Sequence, residues 1–161
     1  MKPLVLLLLT IFPLSAVEIT NPTQNHIYTV GEKVLDFKLL SQHDKAYELK
    51  DRTQYIFITY DKLSTRLQNR FILKHPHFLE YTQSMLVVDI SVIPSAIFFL
   101  FVNPRMKDIP LPLLYSDDIK LSKMFPYKEG HISIMKVKNK VVEEIVFVKS
   151  EEALSDLFEV L

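Results

Sequence analysis

Two short apolar stretches constrain the fold of this chain more than any other feature. Tyr55-Ile56-Phe57-Ile58-Thr59-Tyr60 and Met85-Leu86-Val87-Val88-Asp89-Ile90 are almost continuously apolar or β-favouring. A strand with one wet face alternates apolar and polar residues, whereas a run without alternation suits a strand covered on both faces, as in parallel sheets. Between them Leu67, Phe71 and Ile72 recur at helical spacing, with Ser64 placed to cap the helix and Pro76 to break it before a further turn through Phe78, Leu79 and Tyr81. Strand, helix, strand implies a parallel crossover, right-handed by the general rule.

The C-terminal third has a different pattern. His131–Val137 and Lys140–Val148 are β-rich runs hinged at Lys138-Asn139, where Asn tolerates the left-handed conformation of a tight turn. An antiparallel hairpin is predicted. Ser150 then caps a last helix, with Glu151 and Glu152 in its first turn and an apolar stripe of Ala153, Leu154, Leu157, Phe158 and Leu161. In the middle, Ala96–Val102 is apolar throughout, and Pro110 and Pro112 lead an extended piece into Leu113-Leu114-Tyr115. Seven apolar residues cannot share one helix face. Either that helix is buried nearly all round, or Phe98, Phe99 and Phe101 form an exposed apolar patch that binds a partner.

The N-terminus sets the compartment. Met1-Lys2 is followed by an apolar run, Pro3 to Leu14, and by Ser15-Ala16, the pattern of a secretory signal. The run ends after about a dozen residues, short of the roughly 20 that a spanning helix needs, and no stable span is expected once it is cleaved after Ala16. Leu14 stands where a small residue is usual, which leaves an uncleaved anchor as the alternative. The expected organisation is a signal peptide at 1–16, an extension at 17–30 and one domain at 31–161, in a periplasmic or secreted protein. Acidic and basic side chains balance at 19 each, so no basic face marks a nucleic-acid partner. Only Gly31 and Gly130 occur, which excludes the glycine-rich loops that cradle phosphates.

The order of these elements resembles the thioredoxin superfamily, in its peroxiredoxin-like branch of exported proteins. Gly31, Asp36-Phe37-Lys38-Leu39, Lys45 and Leu49 ahead of the first central strand are similar to that branch's opening pattern, and the closing hairpin and helix match. The resemblance implies an α/β three-layer sandwich, with a central mixed sheet ending in an antiparallel hairpin and a helix. It also implies a redox centre after the first central strand, where this chain has Asp61-Lys62-Leu63-Ser64-Thr65-Arg66-Leu67-Gln68. The whole chain contains no cysteine. Disulfide exchange and peroxide reduction by a thiolate are therefore excluded. Where the family places a cis-proline before the hairpin stands Ile132, followed by Ser133. A cis bond there would cost about 2.5–4 kcal/mol, so a trans bond is expected.

The remaining candidates are weighed on chemistry. Ser64, Thr65 and Arg66 sit at a helix N-terminus, where free N–H groups and the helix dipole favour anions; plain capping by Ser64 is the alternative. His75-Pro76-His77 pairs two imidazoles that could share a cation, although solvated histidines at a helix break are the commoner reading, and His26, His43 or His131 could complete a site only through tertiary folding. A Ser-His-Asp set can be written from Ser95 or Ser133, His131 and Asp89, yet the glycines of a nucleophile elbow are missing. Glu143 and Glu144 lie adjacent in a strand and so on opposite faces, and Asp117 is placed to cap a helix from Ile119 to Phe125. No catalytic residue and no cofactor is predicted. The reading is an exported non-catalytic binding or accessory module for another envelope protein, with Asp61, Ser64, Thr65, Arg66, Phe98, Phe99 and Ile132 as its partner surface. A cofactor- or metal-dependent enzyme with a non-thiol site and a structural oligomer subunit are the rivals.

Overall fold

A computed structural model describes residues 26–159. The signal segment, most of the extension and Leu161 lie outside the described residues. One seven-stranded mixed sheet runs in the order β2-β1-β5-β4-β3-β6-β7. Its strands are β1 (Lys38–Ser41), β2 (Ala46–Glu48), β3 (Tyr55–Thr59), β4 (Ser84–Asp89), β5 (Leu113–Ser116), β6 (Ile132–Lys138) and β7 (Val141–Val148). The two apolar runs are β3 and β4, paired in parallel, and β4 pairs in parallel with β5. On the other side β6 is antiparallel to both β3 and β7.

The unbroken apolar runs are explained by the two cores they separate. Ile56, Ile58, Met85 and Val87 face one core, where Tyr28, Leu114, Phe125 and Met135 join them. Phe57, Leu86 and Val88 face the other, with Leu67, Phe71, Phe78 and Leu154 from the helices α1 (Lys62–Lys74), α2 (Phe78–Tyr81) and α6 (Glu151–Phe158). The first core is closed by α5 (Ile119–Met124), through the partly buried Leu121 and Met124, and by the N-terminal segment. Helices, sheet, and helix with segment make the three expected layers. Tyr28 lies before the expected domain start at residue 31, yet only 2% of it is exposed and its N–H reaches the Met124 carbonyl at 2.8 Å.

Several local expectations are corrected. The hairpin turn is Asn139-Lys140, one residue later than expected, and both are left-handed (φ 50° and 66°), the signature of a type I′ turn. A bulge interrupts the β6–β7 register, because Lys136 pairs with Glu144 while Val137 pairs with Val142. The extra residue, Glu143, breaks strict alternation, and Glu143 and Glu144 are both exposed. Asp118, not Asp117, caps α5, its Oδ1 accepting the Lys120 N–H at 2.8 Å.

Ser150 caps α6 as expected, accepting the Ala153 N–H at 3.1 Å. Glu151 in the first turn of α6 binds Arg70 and, at 2.5 Å, Lys74 of α1. The hydrogen bond from Lys74, with the charges of both cations, holds the Glu151 carboxyl below its ordinary value. A depressed carboxylate adds stability above its unfolded pKa and loses it as pH falls through the folded value. Glu151→Gln is accordingly expected to lower stability at pH 7 slightly, the effect being small because the pair is solvent-screened, and to converge with the wild type as pH falls below about 4.5, checked by urea denaturation at both ends of that range.

Candidate functional site

The polypeptide leaves β3 at Tyr60 and turns into α1, and this junction forms one wall of a cavity. Asp61, rather than Ser64, is the N-cap: its Oδ1 accepts the N–H groups of Leu63 (2.8 Å) and Ser64 (2.9 Å). Ser64 is buried, and its hydroxyl lies 3.0 Å from Asp61 Oδ2 and 3.1 Å from the Asp61 carbonyl. Thr65 is also buried and hydrogen-bonds the Asp61 carbonyl (2.8 Å) and Thr59 Oγ1 (2.9 Å). The helix end expected to receive an anion is thus already filled by a carboxylate of its own chain. Ordinary N-cap energetics predict that Asp61→Ala lowers stability by about 0.5–2 kcal/mol and that Asp61→Asn recovers most of it, checked by urea denaturation.

Tyr60 fixes this junction to the opposite layer. Its hydroxyl donates toward the carbonyls of Phe125 (3.1 Å) and Pro126 (3.2 Å), and its ring meets Tyr127 edge-on at 4.9 Å. Burial pushes its phenol far above the ordinary range, with the charges of Asp89 and Tyr127 adding to the effect. It remains a neutral donor.

The cavity has a volume of ≈ 430 Å³ and lies between α1, the end of β4 and the segment 101–109. Val88, Ile90, Ile93, Val102, Met106 and Ile109 give it apolar walls. Lys62, Arg66 and Arg105 bring positive charge to it, and among the described residues none of the three has an ion-pair partner. Two acids are also present, both engaged: Asp61 by the helix end, and Asp89, whose Oδ1 accepts from Ser91 N–H (2.9 Å) and Ser122 Oγ (2.8 Å). Asn69, 7% exposed, lines the same cavity, and its buried Oδ1 has no hydrogen-bond partner among the described residues.

Beyond the cavity, the apolar stretch takes an unusual form. A short helix, α3 (Ser95–Ile97), runs into one turn of π-helix at Phe98–Val102 and on into α4 (Asn103–Lys107). Phe98 is buried against Tyr115, ring to ring at 4.9 Å. Phe99, Leu100 and Phe101 are 63%, 68% and 57% exposed. Of the two alternatives for this stretch, all-round burial is incorrect, and the exposed patch holds Phe99 and Phe101 but not Phe98. Phe98 is removed from the expected partner surface, as is Ile132, which is fully buried in β6 opposite Val148. Of the seven candidates, Arg66 and Phe99 are exposed and Asp61 is half-buried. Arg66 lines the cavity, and Phe99 lines the neighbouring recess beside Tyr115.

The other candidates do not come together. His75 ends α1 with its ring against Phe71 at 4.8 Å, and His77 precedes α2, exposed. Among the described residues no three His, Cys, Asp or Glu side chains are grouped to hold a metal ion. His131 Nδ1 contacts the Glu129 carbonyl at 2.7 Å, and Ser133 Oγ has no partner among the described residues, so these residues do not form the hydrogen-bonded relay of a triad. No cis peptide occurs among the described residues, and the bond before Ile132 is trans, as expected. Tyr60, Asn69 and Arg105 were not singled out from sequence. Asn69 alone left a signal there, as a polar residue in register with Phe71 and Ile72 on the inner face of α1.

No protein-family profile and no curated protein matches this sequence. Solved structures do. A protein described as thiol:disulfide interchange protein DsbE from Chlorobium tepidum superposes with a TM-score of 0.55 at 16% identity, over 81% of this chain and 96% of that one. A conserved protein of unknown function from Bacteroides fragilis gives 0.54 at 14%, over 81% and 99%. Peroxidoxin BcpB from Mycobacterium tuberculosis gives 0.52 at 16%, over 82% and 94%. At such identities the likeness speaks for architecture alone.

Proposed function

From a thioredoxin-like fold that carries no thiol, we propose that this protein is a non-catalytic binding module, exported from the cytoplasm, that docks a protein partner of the cell envelope. Two of its structural neighbours are named for thiol-disulfide or peroxide chemistry, which runs through a thiolate; this chain has none. The observation that carries the reading is the surface beside the first turn of α1. There the expected redox position is a self-capped helix end that shares a cavity with Phe101, the last of three successive exposed residues, Phe99, Leu100 and Phe101. Contiguous exposed apolar side chains rimmed by charge mark interaction surfaces more often than chance exposure does. Arg66, Arg105 and Lys107 supply the rim, which suits a partner with an apolar and acidic face.

Affinity capture from native envelope, comparing the wild type with Arg66→Glu and Phe99→Asp, tests this. A partner recovered by the wild type and lost by both variants, with thermal unfolding unchanged, is the expected result. Equal recovery by all three proteins overturns the reading. The same preparation reports export through the N-terminal residue found by mass spectrometry, Val17 if the signal is cleaved after Ala16.

A further inference from the structure

The cavity beside α1 has the features of a small-molecule site as well as of a docking face. Its ≈ 430 Å³ falls within the roughly 300–1,000 Å³ of ligand pockets, which are mostly apolar with a few placed polar groups. Its polar groups are unequal in sign. Three cations without ion-pair partners among the described residues face two carboxylates, and both carboxylates already accept hydrogen bonds from their own chain. Arg66 and Asn69 are three apart on α1 and so neighbours on one face, while Arg105 comes from the facing segment. Asn69 adds a buried amide whose oxygen finds no partner among the described residues. An unmet polar group at such depth is costly, and its residue lines the cavity that a ligand would fill. Because an amide can be turned end for end, it can offer either a donor or an acceptor.

We propose that this cavity binds a small amphiphile, an acyl chain lying along Val88, Ile93, Met106 and Ile109 with its carboxylate held by Arg66 and Arg105 and reached by the Asn69 amide. The guanidinium groups suit a carboxylate through their paired donors. The walls match a flexible alkyl chain, and Met106 is a side chain that adapts to irregular apolar shapes. The cavity shares Arg66, Arg105 and Phe101 with the docking face, whereas Phe99 does not line it and so tells the two roles apart.

Titration calorimetry with sodium decanoate below its micelle concentration tests the proposal on the wild type, Arg66→Gln, Arg105→Gln and Phe99→Asp. One decanoate per chain is expected, with affinity about tenfold lower in each arginine variant, unchanged in Phe99→Asp, and at least tenfold lower for decanol, which lacks the charge. Both arginines are exposed, and thermal unfolding of the variants confirms that they fold. Anionic phospholipid vesicles form a second arm: binding to vesicles but not to decanoate would assign the head-group contacts to a membrane and overturn a free-acid site. Absence of decanoate binding up to millimolar concentration, equal affinity for decanol, or indifference to both arginine substitutions would likewise overturn it. Loss of partner capture in Phe99→Asp with decanoate binding intact separates this proposal from the docking role.

Discussion

Phe57→Ala is expected to destabilise the protein by about 3–5 kcal/mol, the range for removing a fully buried phenylalanine ring. Phe57 is inaccessible to solvent at the centre of β3. Its ring stacks on Phe158 at 5.7 Å and meets Phe78 at 5.8 Å, and Phe78 in turn contacts Phe71 at 5.3 Å and Phe158 at 4.8 Å. One side chain therefore touches α2 and α6 directly and α1 through Phe78. Truncation would leave a cavity where three helices converge on the sheet. The expected readout is a fall in the urea midpoint of more than about 1 M. A loss below about 1 kcal/mol would mean that this aromatic cluster does not hold the helical layer.

The second large effect has the opposite sign. Gln68 is completely buried on α1, and neither end of its amide has a hydrogen-bond partner among the described residues. Methionine keeps its length and flexibility without the polar group, and relief of an unpaired amide is worth about 1–3 kcal/mol. Gln68→Met is thus expected to raise the urea midpoint. A fall of 1 kcal/mol or more would show that the amide makes an interaction essential to the fold.

Gln68 belongs to a wider pattern that bears on function. The buried residues of the first two turns of α1 are Ser64, Thr65, Leu67, Gln68 and Asn69, all polar but Leu67, whereas the next turn buries Phe71 and Ile72. A helix selected only for packing would bury apolar residues along its whole length. Polar residues kept at a stability cost are the usual trade at a functional surface, and here they cluster at the helix end where the cavity lies.

The architecture was legible in the sequence where one local pattern dominated. Two unalternating runs defined β3 and β4 because both faces of those strands are covered, and Ser150 with its following acids defined α6. The central strand β5 was read only as an extended piece: Leu113–Ser116 is four residues long and hemmed by Pro110 and Pro112, too short to show a period. Cap choices slipped for a related reason. Asp61 and Ser64, or Asp117 and Asp118, are near-equivalent until the exit of the preceding strand fixes which one precedes the first helical turn. The apolar stretch 96–102 misled because a π-turn shifts the phase of a helix, burying Phe98 while exposing its three successors.

The cavity was largely illegible. Its walls come from the β3–α1 junction, the end of β4 and the segment 101–109, each contributing residues that look ordinary in their own stretch. Arg105 carries no meaning until the fold sets it across from Arg66. The absent thiol, by contrast, was plain from the start. The structure adds what took its place: the Asp61 carboxylate occupies the helix end, and an apolar, positively charged hollow lies beside it.

The proposed role is that this thiol-free face binds a partner. A photocrosslinking amino acid placed in living cells at Arg66, at Phe99 and at Glu144, an exposed position on β7, tests it most directly. The account predicts one shared adduct at positions 66 and 99 and none at 144. Adducts absent from 66 and 99, or equally strong at all three positions, would contradict it.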